Sequence, residues 1–184
     1  MPIEDRVATP LAMRLLVCLA DAVAQLEKPP ANVMLRSGNQ INFLMSLTKN
    51  ECCNGLAWVR VAGIVPSSGA NGQNFPSQDL TPQRCGTQRY AVELEMGIVR
   101  CAPVATATAI PSDDIWNISA VDTLADFAAM DRAICCFLDG FTGLALPGAW
   151  TPLAVQGMCV GGVMSLTASA NPCNCIDDES PTSS

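Results

Sequence analysis

Residues 90–99, YAVELEMGIV, alternate between apolar and acidic or small side chains. Side chains of a strand point to opposite faces in turn, so Tyr90, Val92, Leu94, Met96 and Ile98 share one face and Glu93 and Glu95 the other. That pattern calls for a sheet with one buried and one polar face. Whatever else the chain folds into, it has to bring apolar cover to the first of these faces.

Two segments are suited to supply the cover. In TPLAMRLLVCLADAVAQLEKPP, Thr9 suits an N-cap and Pro10 the first helical position, where its missing N–H costs nothing. Leu11, Leu15, Cys18, Leu19, Ala22 and Leu26 then recur at helical spacing, and Pro29 and Pro30 are expected to stop the helix. The second helix is expected to begin at Ser119, with Asp122 as the third member of a capping box. Val121, Leu124, Ala128, Cys135 and Leu138 form its expected apolar side, and Gly140 its stop. Asp113 and Asp114 are read as dipole compensation ahead of it.

Residues 32–50 read as a strand or two, 56–65 as a β-branched and aromatic strand, and 158–170 as a last strand after a Pro/Gly loop. The expected fold is α+β, a mostly antiparallel sheet with two main helices packed on one face. A single domain covers residues 1–175. It carries a long polar loop at 66–88, whose length is that of a functional loop. Residues 176–184 read as a disordered acidic tail.

The chain has ten cysteines and no histidine. Absence of histidine removes every Cys–His and Ser–His–Asp catalytic arrangement. The cysteine spacings are CC, CC and C-x-C, with Cys18, Cys85, Cys101 and Cys159 standing alone, so the close C-x2-C pairs typical of zinc are missing. Cys18, Cys135 and Cys136 lie on helices and read as small packing residues. Cys52, Cys53, Cys85, Cys101, Cys159, Cys173 and Cys175 flank strands or loops and are the candidates for a disulfide or cysteine cluster, although cytosolic synthesis disfavours bridges during folding. Glu93 and Glu95 are a nominal carboxylate pair, better explained as a solvated strand face. No catalytic, cofactor-binding or metal-ligating residue is assigned, and no cofactor is expected.

Charged residues make up only 15% of the chain, and the net charge is −7. So little charge points to a surface covered by other subunits, or else to one that is simply apolar. The negative balance excludes bulk attraction to nucleic acid, though DNA could slide past such a surface. No apolar run reaches the ~20 residues of a membrane span, and the N-terminus does not have the pattern of a signal peptide.

Three blocks taken together, CCNGLAWVRVAGIVPS with a later FPSQD, YAVELEMGIVRCAP, and WTPLAVQGMCVGGVMSLTASA, resemble tail terminator proteins of long-tailed phages that infect actinobacteria. The matching residues are Cys53, Gly55, Trp58 and Arg60; Phe75, Pro76 and Asp79; Cys85; Arg100, Cys101 and Pro103; and Gly157, Cys159, Gly161 and Gly162. Val163, Met164 and the acidic tail depart from the pattern.

The resemblance implies a non-enzymatic virion protein, made in the host cytoplasm, that forms a ring, usually a hexamer, on the head-proximal end of the tail tube. Its implied partners are copies of itself, the tail tube protein and the head-to-tail connector or stopper, with genomic DNA passing through the channel and no membrane involved. Arg60, Phe75, Asp79 and Arg84 are the candidate contacts between subunits or rings, and Glu93 and Glu95 the candidate channel-facing residues. Cys53 is placed near Cys85 or Cys101 in the same sheet region. The alternatives are another neck component, such as a head-completion protein, or a cysteine-rich metal- or redox-binding module.

Overall fold

The computed structural model describes residues 5–38, 53–67, 89–105, 110–156 and 158–170. In chain order these form α1 (Thr9–Val23), β1 (Asn32–Arg36), β2 (Leu56–Ser67), β3 (Arg89–Cys101), α2 (Asp113–Leu138), β4 (Ala145–Gln156) and β5 (Cys159–Ala170). The strands make one five-stranded sheet in the order β1-β2-β3-β5-β4. β3 is its middle strand, as its alternation demands. The fold class is α+β.

The sheet is mixed. β1 runs parallel to β2, with Asn32 opposite Leu56 and Arg36 opposite Arg60, whereas the other three pairings are antiparallel. The chain turns back before β2 at Gly55, whose φ of +76° suits glycine, and an added Cβ there would lie 2.8 Å from the Pro30 Cα. The Ala31 amide donates to the Asn54 carbonyl at 2.9 Å and closes this approach.

Val92, Leu94, Met96 and Ile98 are fully buried beneath both helices, together with Ala57 and Val59 of β2 and Met164, Leu166 and Ala168 of β5. Each Val, Leu, Ile or Met among these contributes ~1.5–3 kcal/mol relative to leaving it in water, and each Ala less. The opposite face holds a smaller cluster around Leu56, Trp58, Val99 and Cys159. Trp58 is fully buried there because its cross-strand partner is Gly97, and the indole occupies the space a Cβ would fill.

Helix α1 buries the expected stripe of Leu11, Leu15, Cys18, Leu19 and Ala22, joined by Ala12 and Val23. Its ends differ from expectation. Thr9 is the first helical residue and not the cap, because Asp5 reaches forward and accepts from the amides of Val7, Ala8 and Thr9 and from the Thr9 hydroxyl. The backbone bond from Val7, and the other amides and the Thr9 hydroxyl with it, hold the Asp5 carboxyl down at about 2 against the opposing effect of burial. The helix ends at Val23, well before the prolines.

β4 replaces the expected Pro/Gly loop. It contains Pro147, Gly148 and Pro152 and pairs only with β5, with breaks in register between Pro147 and Trp150 and between Leu153 and Gln156. An edge strand needs hydrogen bonds on one side only, so prolines are tolerated there.

The reading of Cys18 and Cys136 as packing residues is also corrected. They form a disulfide joining α1 to α2 across 118 residues of sequence. Cys18 is still buried, and its helix-face position is what brings it to the partner helix. Replacing Cys18→Ser should lower the unfolding free energy by ~3 kcal/mol through loss of this long cross-link, read from urea unfolding. Non-reducing peptide mapping should recover the Cys18 and Cys136 peptides linked; alkylation of both thiols in unreduced protein would refute the bond.

Candidate functional site: the outward face of α2 and its anchors

Helix α2 begins seven residues before the expected Ser119. Ser112 is its N-cap residue, and Asp113 and Asp114 occupy the first turn, where negative charge complements the helix dipole. Ser119 and Asp122 are therefore interior residues: the Ser119 carbonyl accepts from the Thr123 hydroxyl at 2.9 Å, and Asp122 pairs with Lys28 at 3.0 Å. The helix ends at Leu138, and Gly140, with φ of +67°, turns the chain as expected.

The expected apolar side of this helix proves to be its outer side. Asp126, Ala129, Met130, Ala133, Ile134 and Phe137 face the core. Val121 and Leu124 are 64% and 60% exposed, and Ala128, Cys135 and Leu138 are exposed with them. None of residues 113–121 is buried, so Ile115, Trp116 and Ile118 stand in solvent as well. At ~1.5 Å per residue, roughly 13 Å of helix extends beyond its packed part. Apolar residues run all the way round α2, and one core can cover only one side of it.

Three interactions fix the packed part. Arg100, at the end of β3, donates two hydrogen bonds to the Asp126 carboxylate, at 2.7 and 2.6 Å. The Asp126 side chain is 1% exposed. Burial pushes its carboxyl above the usual carboxylate range, opposed by the Arg100 guanidinium; the same carboxylate keeps Arg100 charged in spite of its own burial. At the other end, Arg14 of α1 donates to the Phe137 carbonyl at 2.9 Å and to the Asp139 carbonyl, two groups that a helix C-terminus leaves without internal partners. Its guanidinium also lies 5.5 Å from the Phe137 ring centre. The third is the Cys18–Cys136 bond.

The sheet face away from the helices carries the other charged pair. Arg60 donates to both Glu95 carboxylate oxygens, at 2.7 and 3.0 Å, and to the Gly38 carbonyl at 3.2 Å. Both side chains are 14% exposed. Glu95 is therefore not a solvated residue, and it offers a channel no uncompensated charge; Arg60 likewise has its partners within the chain. Glu93 is half-buried beside Gly63, next to the break in register between Val61 and Gly63.

Three of the cysteine candidates, Cys53, Cys101 and Cys159, meet at one end of the sheet. Cys53 is bonded to Cys101, and Cys101 lies opposite Cys159, which is disulfide-bonded too. Cys135 is the free cysteine among the described residues, and it is exposed. Cys52, Phe75, Asp79, Arg84, Cys85, Cys173 and Cys175 lie outside the described residues, as do residues 68–88 of the polar loop.

Among the described residues, no group of three or more Cys, Asp or Glu side chains is placed to hold a metal ion, and no helix is long and apolar enough to cross a membrane. No protein-family model and no curated protein matches the chain.

Sequence reasoning missed Asp126 and the outward role of α2. The signal for the second was present, since Ile115, Trp116 and Ile118 lie ahead of the assumed helix start. Replacing Arg100→Met should cost ~3 kcal/mol at neutral pH, because it leaves a buried carboxylate without its partner. A carboxyl with a raised folded pKa favours the folded state when protonated, so the penalty should grow as pH rises above ~4 and shrink on acidification. Urea unfolding at pH 5 and pH 8 checks this; a penalty equal at both would refute it.

Proposed function

We propose that the chain is a structural subunit of a phage neck: copies form a ring, a hexamer by resemblance, that caps the head-proximal end of the tail tube, stops its polymerisation and joins it to the head connector. The observation that carries this reading is spatial. The blocks that resemble tail terminators are far apart in sequence, yet their described residues converge on one end of the sheet. Cys53 is bonded to Cys101, Cys101 lies opposite Cys159, and Val99 and Ile98 lie opposite Gly161 and Gly162. An added Cβ on Gly161 would collide with the Ile98 carbonyl, so this close approach requires glycine.

The low charge and the uncovered face of α2 suit a protein that works through subunit contacts. Arg60 serves this reading as a scaffold residue, since its guanidinium is occupied by Glu95 and Gly38. Phe75, Asp79 and Arg84 remain the proposed contacts toward a neighbouring ring. Genomic DNA would pass the ring without being bound.

The test is a tube-assembly reaction with the cognate tail tube protein, followed by electron microscopy. Substoichiometric addition of this protein should halt elongation and place a ring at one tube end. Unchanged tube growth, or binding to isolated head connectors alone, would replace the reading with that of a head-side neck component.

A further inference from the structure

We propose that Cys53, Cys101 and Cys159 form a thiol–disulfide exchange site: a small monothiol such as glutathione opens the exposed Cys53–Cys101 bond, and Cys101 then takes Cys159 as its new partner. The site does not depend on the neck reading, since all three residues belong to one chain.

Register brings both partners of Cys101 within reach at once. Cys101 is bonded to Cys53 and lies opposite Cys159 across the antiparallel β3–β5 ladder. Just beyond this pair, the Ala102 amide donates to the Met158 carbonyl at 2.7 Å. Hydrogen-bonded and non-hydrogen-bonded pairs alternate along such a ladder, so Cys101 and Cys159 are a non-hydrogen-bonded pair, with Cα atoms ~4.5 Å apart and side chains on one face. That spacing lies inside the ~4.4–6.8 Å that a disulfide spans. Pairing with Gln156 of β4 on its other side fixes the backbone of Cys159.

Exposure sets the order of events. Cys53 and Cys101 are exposed, whereas Cys159 is only 2% exposed. Exchange needs a thiolate to reach a sulfur, so an external thiol meets the Cys53–Cys101 bond first. Its thiolate attacks the Cys53 sulfur, forms a mixed disulfide there and expels Cys101 as a thiolate. The Cys101 thiolate attacks the Cys159 sulfur, forms Cys101–Cys159 and expels the cysteine that was bonded to Cys159. Each step makes one S–S bond and breaks one, so nothing is consumed but the monothiol that stays on Cys53. A thiol held across a ladder competes at an effective concentration on the order of mM, which a more dilute monothiol does not match. Diversion of Cys101 also removes the thiolate that would expel the monothiol, so the modification of Cys53 persists. The turn that leads through Gly55 into β2 is thereby uncoupled from the end of β3, while β3 becomes linked to β5.

The test uses the full-length oxidised protein and reduced glutathione at ~0.1 mM, below the effective concentration of the internal thiol. Free thiols are alkylated at intervals, the protein is digested in acid, and linked peptides are read by tandem mass spectrometry. Loss of the Cys53–Cys101 peptide should be matched by a gain of Cys101–Cys159 and of glutathione on Cys53. Cys53→Ser supplies a second measurement without added thiol: Cys101 should be found bonded to Cys159, with circular dichroism unchanged. Opening of Cys53–Cys101 that leaves Cys101 alkylated and the Cys159 bond intact would overturn the proposal. Loss of the Cys159 bond ahead of it, or a Cys53–Cys101 bond that resists glutathione, would do the same.

Discussion

Burial of alternate side chains of β3 under two helices is the contact on which the remaining structure depends. Val92, Leu94, Met96 and Ile98 are fully buried, and they lie on the middle strand, so β2 and β5 are aligned on it from either side. Loss of any one of these side chains would leave a cavity that neighbouring strands could not easily close. The opposite face follows from the same period, although it is not the solvated face that the alternation predicts, since Leu56, Trp58, Val99 and Cys159 are buried on it. It places Glu95 opposite Arg60 in register, where the two neutralise each other, and it places Gly97 opposite Trp58, where the missing side chain makes room for the indole.

Helix α2 is held by polar and covalent links more than its apolar surface alone would suggest. A buried ion pair such as Arg100–Asp126 adds little net stability over an apolar replacement, since desolvation offsets attraction. What it adds here is position: two hydrogen bonds from one guanidinium allow few rotations of the helix about its axis. Arg14 at the C-terminus and the Cys18–Cys136 bond oppose rotation from the side of α1. With its rotation fixed, α2 must point Val121 and Leu124 away from the core.

The sequence showed β3 well because strict alternation over ten residues has no good helical interpretation. It showed the buried stripe of α1 for the converse reason. β4 was hidden by Pro147, Gly148 and Pro152, which signal a loop to any local reading and become acceptable only once the strand is known to be an edge. The face of α2 was misassigned because apolar residues surround it, and periodicity alone cannot say which of two apolar sides meets the core. The deciding residue is Asp126, whose polarity argued locally for solvent and whose partner, Arg100, is 26 residues away in sequence. Pairing of Cys18 with Cys136 was equally out of reach, because it depends on how two helices cross.

A helix anchored at one end and uncovered along its outer side has a definite physical consequence. Its packed residues, Met130 to Phe137, contribute to the core regardless of any partner, whereas Ile115, Trp116, Ile118, Val121 and Leu124 contribute nothing until something covers them. Folding of the subunit and burial of this surface are thus separable steps, and their energies come from different residues. The fold is therefore complete without this surface being covered. Charge along this stretch is sparse but not absent: Asp122 and Asp126 are paired to Lys28 and Arg100 within the chain, whereas Asp113 and Asp114 stand exposed at its start, where they complement the helix dipole.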